Sequence, residues 1–324
     1  RTQIAGLIDW EGDGHYCAPK HSTRLAMKSA SEAISQAGIG SRGSFPGPMF
    51  LGVSPAETKW DQRMRLYRAS AAGGSSGYER LIRNAASGDF HRYYEQFQFG
   101  SIAENLADEL GTRGQPISLT TACASGASSV QLGVEAIRRG DTDAALCIGT
   151  DGEICEEMVV RFTLLSALST QNDDPTGASK PFSRTRDGFV MAEGSASLVL
   201  ESYDSARARG AKILGVVRGT GERADTFHRT RSKPDGSAII DTITRSLADA
   251  GMSPGDIDYI NAHGTSTPEN DKMEYLALSE ALGDELANTP ISSNKSMIGH
   301  TLSAAGAIEA AISLLTLEAV SYTH

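Results

Sequence analysis

The sequence has few cysteines and no long apolar run, and each shortage argues against a class of protein. Its four cysteines, Cys17, Cys123, Cys147 and Cys155, form no CxxC pair and have no even spacing. A disulfide framework or a structural zinc site therefore has little support, and we predict a reducing, cytoplasmic location. Residues 1–10 lack a basic stretch followed by an apolar one, and nowhere do about 18 apolar residues follow one another. We therefore predict a soluble protein with no membrane span.

Positive charge is also scarce. Thirty Lys and Arg residues stand against 40 Asp and Glu residues, which gives a net charge of −10. Phosphate binding needs a concentrated positive field, so a nucleic-acid partner is disfavoured and any basic patch must be local. Apolar residues, by contrast, make up 40% of the 324 residues. This is enough for a large core in one big domain or two closely joined ones.

From residue 117 onward, apolar strands alternate with amphipathic helices. The β-branched run 117–121 leads through a turn at Cys123 into a helix whose apolar residues recur at helical spacing, and the strand 144–148 follows. Further strands are predicted at 195–200, 213–217, 257–262 and 290–293, and further helices at 23–37, 239–247 and 304–319. Gly73–Gly77 indicates a mobile connection between short helices. This alternation predicts a layered α/β fold.

Three residues with reactive side chains lie at strand-to-helix corners. Cys123 follows Leu-Thr-Thr-Ala, where small residues allow a sharp turn and the helix start favours thiolate. His263 and His300 follow apolar strands in Asn-Ala-His-Gly and Ile-Gly-His. An isolated cysteine is about as often a small buried hydrophobic residue as a nucleophile, and a lone loop histidine is more often structural than catalytic. Three such corners together favour nucleophilic catalysis. The other histidines are interpreted as structural or solvent-facing: His15, His21, His91, His228 and His324.

Four motifs resemble the β-ketoacyl-acyl-carrier-protein synthases of the thiolase superfamily, in the branch with a Cys-His-His triad. They are Thr-Ala-Cys-Ala-Ser-Gly (121–126), Lys-Pro-Phe-Ser-Arg-Thr-Arg-Asp-Gly-Phe-Val (180–190), Asn-Ala-His-Gly-Thr-Ser-Thr-Pro (261–268) and Asn-Lys-Ser-Met-Ile-Gly-His (294–300). The resemblance implies a five-layered αβαβα fold whose two halves, 1–200 and 201–324, each contribute a central sheet. It also implies a homodimer.

The resemblance implies a reaction as well. Cys123 would accept an acyl group from acyl carrier protein, and the N–H groups of His263 and His300 would stabilise the enolate formed when malonyl carrier protein loses carbon dioxide. No metal and no other cofactor are implied, since the phosphopantetheine arm arrives on the carrier protein. Fatty-acid elongation is the role expected first, with polyketide or very-long-chain acyl synthesis as the alternative.

Other site residues are implied by the same resemblance. Supporting charges that orient the histidines are expected at Lys295, Asp271, Glu274 and Glu309. Asp271 and Glu274 have a second interpretation, as acidic residues that stabilise a helix start. Thr265 and Thr267 are expected to bind the phosphopantetheine arm. Phe189 is expected in a loop close to the site, although core packing also explains it.

Two basic clusters are candidates for docking the acidic carrier protein. One consists of Arg207, Arg209 and Lys212. The other consists of Arg63, Arg65 and Arg68, beside Trp60 and Tyr67. The competing interpretation of each cluster is a solvated helix face.

The sequence departs from the family's pattern at both ends. Family members have a strand and a helix before the point where this sequence starts, and they continue past Ala319 to a Phe-Gly-Phe-Gly-Gly loop that supplies an oxyanion-hole donor. We expect these parts to be missing here. Rival classes fit less well. A thiolase needs a late second cysteine, a Cys-His-Asn enzyme lacks the second histidine, and a cysteine hydrolase leaves the lysine loop unexplained. A non-catalytic chain-length partner is expected to have lost Cys123.

Overall fold

The chain folds into alternating helices and short strands, with the long helices around one mixed sheet. A computed structural model describes residues 2–8, 17–55, 57–69, 77–228 and 231–319. The helices are α1 (Ala18–Ala37), α2 (Trp60–Arg68), α3 (Gly77–Ala86), α4 (His91–Phe97), α5 (Ser101–Leu110), α6 (Ser125–Arg138), α7 (Glu156–Leu164), α8 (Tyr203–Ala208), α9 (Ser237–Ala250), α10 (Pro268–Leu282), α11 (Lys295–Ile298) and α12 (Ala305–Ala319). The strands are β1 (Met49–Val53), β2 (Ile117–Leu119), β3 (Ala144–Asp151), β4 (Gly194–Glu201), β5 (Ile260–Asn261) and β6 (Ile291–Ser292).

The larger sheet has the order β2-β1-β3-β4 and is covered on both faces. The first three strands run parallel, and β4 is antiparallel to β3. Side chains alternate between the faces of a strand, and β3 follows this rule. Leu146 and Ile148 pack with α1 and α5 in one core cluster, while Ala145 and Cys147 pack with α6 in another. Because both faces are covered, β3 is buried along its whole length.

Helices α6 and α12 form the central layer and approach each other closely at their amino ends. A Cβ atom added to Gly126 of α6 would lie 2.6 Å from the Ala307 nitrogen, and one added to Gly306 of α12 would lie 2.6 Å from the Ala127 nitrogen. Only glycine permits this approach. The loops that precede the two helices carry Cys123 and His300, so the crossing brings these residues together.

The second sheet pairs β5 with β6 in parallel. At the end of β5, the Asn261 side-chain amide donates to the Glu309 carbonyl oxygen and to the Ser313 hydroxyl of α12, both at 3.0 Å. On the other side, Leu278 of α10 and Ile291 of β6 line one cavity, and α9 packs against α10. The layers are therefore helix, sheet, helix, sheet and helix, as predicted.

The predicted strand at 213–217 is wrong. Residues 211–226 form no strand, and Ile213, Val216 and Val217 are 40%, 57% and 41% exposed. A strand requires a hydrogen-bonded neighbour, and none of the described strands pairs with this segment. A segment rich in β-branched residues fits well into a sheet, but it forms a strand only where a neighbouring strand is available to pair with it.

One stretch has the length and composition of a membrane-crossing helix, contrary to expectation. The window Leu302–Ala319 has a mean hydropathy of 1.4, and 33% of it is buried. A core helix of a globular protein passes the same test. Here α12 packs against α6, β3 and β4, and its Glu309 pairs with Lys295. These contacts place one face of α12 in the central layer, while Leu315 and Leu317 are 60% and 66% exposed.

Three sequence predictions fall outside what the structure tests. Most of the glycine-rich stretch Gly73–Gly77 lies outside the described residues, which resume at Gly77 with α3. His15 and His324 also lie outside them. The division of the chain at residue 200 stays a prediction.

Candidate active site

Cys123 lies on a strained turn between β2 and α6. The residue before it, Ala122, has a φ of 53°, which is uncommon for a residue with a side chain. The Ser125 hydroxyl accepts a hydrogen bond from the Thr121 N–H at 2.9 Å and donates one to the Ala122 carbonyl oxygen at 2.6 Å. These bonds hold the turn against its strain and present the thiol at the corner, as the sequence predicts.

The imidazole of His300 reaches this thiol. Its Nε2 is 3.2 Å from Cys123 Sγ, and its Nδ1 accepts the Leu302 backbone N–H at 3.2 Å. The backbone of His300 is itself fixed, because its N–H donates to Val190 and its carbonyl accepts from Ala192. A neutral imidazole has one acceptor and one donor nitrogen. Nδ1 is the acceptor, so Nε2 carries the proton and points it towards the sulfur.

His263 is held from both its backbone and its ring. Glu274 accepts the N–H groups of His263 and Gly264 at 2.6 and 2.7 Å. Lys295, which is 2% exposed, places Nζ 3.1 Å from His263 Nδ1 and 2.7 Å from its carbonyl oxygen, and also contacts Glu309. An ammonium group only donates, so Nδ1 accepts here too and Nε2 is protonated.

The two imidazoles therefore form a matched pair of N–H donors. Their ring centroids are 5.1 Å apart, at an angle of 85°. Burial, helped by the Lys295 charge, lowers the pKa of His263 to about 3. Burial, then His263 and Lys295, holds the pKa of His300 well below its ordinary value. Both rings are thus neutral at physiological pH. This arrangement can stabilise an oxyanion but is poorly suited to removing a proton at Nε2.

The thiol differs from the sequence expectation. Burial raises the pKa of Cys123 to about 11, and the Lys295 charge offsets only part of this. The expected stabilisation by the start of α6 is weak for a geometric reason. The Ala124 and Ser125 amides donate within the turn, to Thr121 and Ala122, and so are not free for the sulfur. Cys123 is therefore a neutral thiol at rest.

We predict that alkylation of Cys123 by iodoacetamide is slow at neutral pH and accelerates with pH. Only the thiolate reacts, and a thiol with a pKa of about 11 is about 10⁻⁴ ionised near pH 7. The rate should rise about tenfold per pH unit while the fold persists. Peptide mass spectrometry separates Cys123 from Cys17 and Cys155, and circular dichroism monitors folding. A plateau below about pH 9 would show that the protein stabilises the thiolate.

The remaining predicted supporting residue, Asp271, is 1% exposed at the start of α10. It accepts the N–H groups of Phe182 at 2.7 Å and Ser266 at 3.1 Å, both of which have positive φ, and pairs with Arg186 at 3.2 Å. It thus holds two strained loops. The capping role belongs instead to Thr267, whose hydroxyl accepts the Asn270 N–H.

The residues predicted to bind substrate lie beside these groups. Thr265 is buried next to His263, and its hydroxyl is 2.9 Å from that of Thr267. The Phe189 ring lies 5.1 Å from the His300 ring, measured between centroids, and 5.4 Å from Phe162. Phe189 therefore forms one wall around His300.

Sequence reasoning missed Asp187, which shapes this wall. Its carboxylate accepts hydrogen bonds from the Ser169 hydroxyl at 2.7 Å, the Thr170 N–H at 3.0 Å and the Gln171 amide at 2.8 Å. These bonds tie the Phe189 loop to the turn after α7. Its position inside the quoted Arg-Asp-Gly-Phe motif was the available signal.

The basic clusters are largely engaged within the chain. Arg209 pairs with Glu201 at 2.7 Å and donates to the Ala37 carbonyl, so it joins α8 to α1. Lys212 pairs with Glu318 at 2.5 Å. Arg63 and Arg65 pair with Glu157 and Asp61 at 3.2 and 4.0 Å. Arg68 and Arg207 form no ion pair with the described residues, and Arg207 lies over the Tyr203 ring.

The side chains of Cys123, His263 and His300 lie close enough together to bind one metal ion. One ligand atom from each of Cys123, His263 and His300 lies within 4.8 Å of the others. Metal binding through Nε2 would move the imidazole proton to Nδ1, where it would face the Leu302 N–H or the Lys295 ammonium. Those donors favour the opposite tautomer. The hydrogen bonding therefore opposes a metal here.

Comparison with known proteins agrees with this geometry. Residues 19–206 match the family model for the β-ketoacyl synthase N-terminal domain, and residues 214–321 match that for the C-terminal domain. The tetracenomycin polyketide synthase ketoacyl synthase alpha subunit of Streptomyces glaucescens is 37% identical over 98% of this chain and 75% of that protein. The 3-oxoacyl-[acyl-carrier-protein] synthase 2 of Synechocystis is 43% identical over 65% of this chain and 51% of that protein.

A solved structure shares the architecture. It is a type II polyketide synthase acyl carrier protein in complex with its ketosynthase bound to the hexaketide, and it aligns with a TM-score of 0.81 and 32% identity. The alignment covers 96% of this chain and 74% of the matched one. The resemblance and the thiolase-like fold predicted from the motifs are confirmed, and the chain belongs to the β-ketoacyl synthase family of acyl-transferring condensing enzymes.

Proposed function

We propose that Cys123 is the acyl acceptor of a decarboxylating condensation carried out on acyl carrier protein thioesters. The 3.2 Å contact between Cys123 Sγ and the protonated Nε2 of His300 carries this proposal. In the first step, Cys123 sulfur attacks the acyl thioester. The bond from the acyl carbon to the carrier sulfur breaks, and the thiol proton ends on the released carrier thiol. The attacking species is the thiolate, and the proton that Cys123 loses is recovered by the released carrier sulfur, so acyl transfer consumes no net base.

The second step makes the carbon bond. Malonyl carrier protein loses its carboxylate as carbon dioxide, and the electron pair remains as an enolate. The Nε2–H groups of His263 and His300 stabilise the enolate oxygen. The enolate carbon then attacks acyl-Cys123, and the carbon–sulfur bond breaks. The released Cys123 thiolate takes a proton from solvent, and the product is a 3-oxoacyl thioester.

The comparisons support the polyketide alternative over fatty-acid elongation, the role expected first. Similarity to the tetracenomycin and actinorhodin synthases extends over 98% of this chain, at 37% and 36% identity. Similarity to 3-oxoacyl-[acyl-carrier-protein] synthase 2 of Synechocystis covers 65% of it. The chemistry at Cys123 is the same for every acyl chain, so it does not identify the substrate. The assignment of the substrate class therefore rests on the greater extent of the similarity to the polyketide synthases. We assign the chain to polyketide chain extension.

Its partners follow from this role. An acyl carrier protein delivers both thioesters on its phosphopantetheine arm, with Thr265 and Thr267 beside the arm, and no other cofactor is required. Within the two basic clusters, Arg68 and Arg207 are the residues most available for docking, because neither forms an ion pair with the described residues. The family resemblance implies a homodimer. A relative of known structure is described as a ketosynthase/chain length factor, so a pair of two different subunits is the alternative. Four free thiols support a cytoplasmic location.

The product of repeated condensation tests the substrate class. The chain is incubated with acetyl and malonyl carrier protein without any ketoreductase, alone and with a chain length factor subunit, and carrier-bound products are identified by mass spectrometry. A polyketide synthase should add several unreduced two-carbon units to one chain. Products that never exceed one keto group, with saturated long acyl chains as preferred primers, would restore the fatty-acid assignment.

A further inference from the structure

The tautomer of His300 depends on a strained residue. Leu302 provides the N–H that His300 Nδ1 accepts, and its φ is +46°. This left-handed conformation is a genuine outlier for a bulky residue with a side chain, and it persists only where neighbouring contacts enforce it. The group that enforces it therefore controls whether Nε2 of His300, the nitrogen that faces Cys123, carries the proton.

The neighbouring contacts converge on Asp151, at the end of β3. Ser303, the next residue after Leu302, places its hydroxyl 2.7 Å from Asp151 Oδ2 and its N–H 3.3 Å from the same oxygen. On the opposite side, the Ser54 hydroxyl after β1 donates to Oδ2 at 2.8 Å. Asp151 is fully buried, and no cation among the described residues pairs with it. Burying an acid without a cation is costly, so its position calls for a reason.

The hydrogens around Ser303 indicate how Asp151 is protonated. The Ser303 hydroxyl lies 2.7 Å from the Thr150 carbonyl oxygen and 2.7 Å from Asp151 Oδ2, but it has one hydrogen. The carbonyl can only accept. Both contacts are hydrogen bonds when Asp151 carries a proton and donates it to Ser303. Burial raises the pKa of Asp151, which acts in the same direction.

We propose that Asp151 is the positioning residue for His300: it clamps Ser303, and so holds Leu302 in the conformation that keeps the proton of His300 on Nε2. The inference rests on the proposed function, because it assigns Asp151 to the decarboxylation step. It also joins the two halves of the chain at the site, since Asp151 lies in the first half and Ser303 in the second. The clamp acts through backbone geometry and does not touch the substrate.

Two serines provide a matched comparison, because each contributes one hydroxyl to the same carboxyl oxygen. Ser303→Ala removes the contact on the His300 side, and Ser54→Ala removes the contact on the β1 side. Release of carbon dioxide from malonyl carrier protein should fall by about 100-fold in Ser303→Ala, the scale of a small misplacement of a catalytic group. It should stay unchanged in Ser54→Ala. Acylation of Cys123, followed by mass spectrometry, should persist in both. Equal losses in the two variants would overturn the proposal.

Changes at position 151 test the carboxyl group itself. Asp151→Asn keeps both the shape and a donor towards Ser303 and should retain decarboxylation, while Asp151→Val, with neither, should lose it. A folded Asp151→Val with the activity of the wild type would refute the clamp. If thermal unfolding shows that this variant does not fold, the serine pair decides alone.

A spectroscopic measurement separates the clamp from the proposed function. In protein labelled with ¹⁵N-histidine, the His300 signal is identified by its loss in His300→Gln. The ring should be in the Nε2–H form in the wild type and in a mixture of tautomers in Ser303→Ala. This result is expected even if the chain releases no carbon dioxide, in which case the proposed function fails and the clamp stands. An unchanged tautomer in Ser303→Ala rejects the clamp.

Discussion

Replacing Cys123 with alanine should abolish transfer of acyl groups to the protein and, with it, all condensation. The thiol is the one nucleophile that the β2–α6 turn presents to His300 Nε2, and alanine leaves the turn's hydrogen bonds through Ser125 intact. Removing a covalent nucleophile lowers turnover by about 10⁶-fold. Intact-mass spectrometry after incubation with acyl carrier protein thioesters measures the acyl adduct, and thermal unfolding confirms that the variant is folded.

Cys155→Ala is the matched control. Cys155 is also a partly buried free thiol, and it lies at the start of α7, away from both imidazoles among the contacts described. Its replacement should leave the acyl adduct on Cys123. Adduct on neither the wild type nor Cys123→Ala, or equal adduct on both, would show that the nucleophile was wrongly assigned.

The site was predictable because its signals are local. Cys123 and His263 each follow a short strand and precede a helix, while His300 follows the one-turn helix α11 and precedes α12. Such corners place side chains at one edge of a layered fold. The structure brings all three together: the crossing of α6 and α12 joins Cys123 to His300, and β5, which is tied to α12 through Asn261, carries His263 to them. The family resemblance predicts Lys295 and Glu274 as charges that support the histidines, and the structure locates both against His263.

The parts that escaped prediction depend on non-local contacts. The segment 213–217 has the composition of a strand, but pairing is a property of two segments, and composition describes one. The raised pKa of Cys123 follows from burial created by the whole fold, whereas the sequence showed only a helix start. The direction of the Glu274 carboxylate, onto backbone N–H groups of His263 and Gly264, depends likewise on how α10 packs.

Tautomers are the clearest case of this limit. No pattern in the sequence states which imidazole nitrogen carries a proton. The structure answers it with two donors: the N–H of Leu302, whose left-handed backbone directs it to His300, and the ammonium group of Lys295, which reaches His263 from a distant part of the sequence. Each donor occupies an Nδ1 and leaves an Nε2–H facing the site. The roles of the two histidines as donors are therefore a consequence of tertiary structure.

Replacing His300 with alanine should separate the two half-reactions. Acylation of Cys123 should persist, because the thiol proton leaves with the carrier thiol and no step of acyl transfer requires His300 as a base. Decarboxylation should fall by about 10³-fold, since one of the two donors to the enolate oxygen is lost. The adduct is measured by intact-mass spectrometry, and carbon dioxide release from malonyl carrier protein is measured on the same preparation.

Two further variants show whether the N–H group is the cause. His300→Gln retains an amide donor and should recover part of the decarboxylation that His300→Ala loses. His228→Ala, at an exposed loop histidine, should change neither half-reaction. Carbon dioxide release at the wild-type rate in His300→Ala would remove His300 from the mechanism. Loss of acylation together with decarboxylation in a folded variant would instead make His300 part of the acyl-transfer step. Acylation takes place before the malonyl group arrives, so it cannot depend on stabilising the enolate.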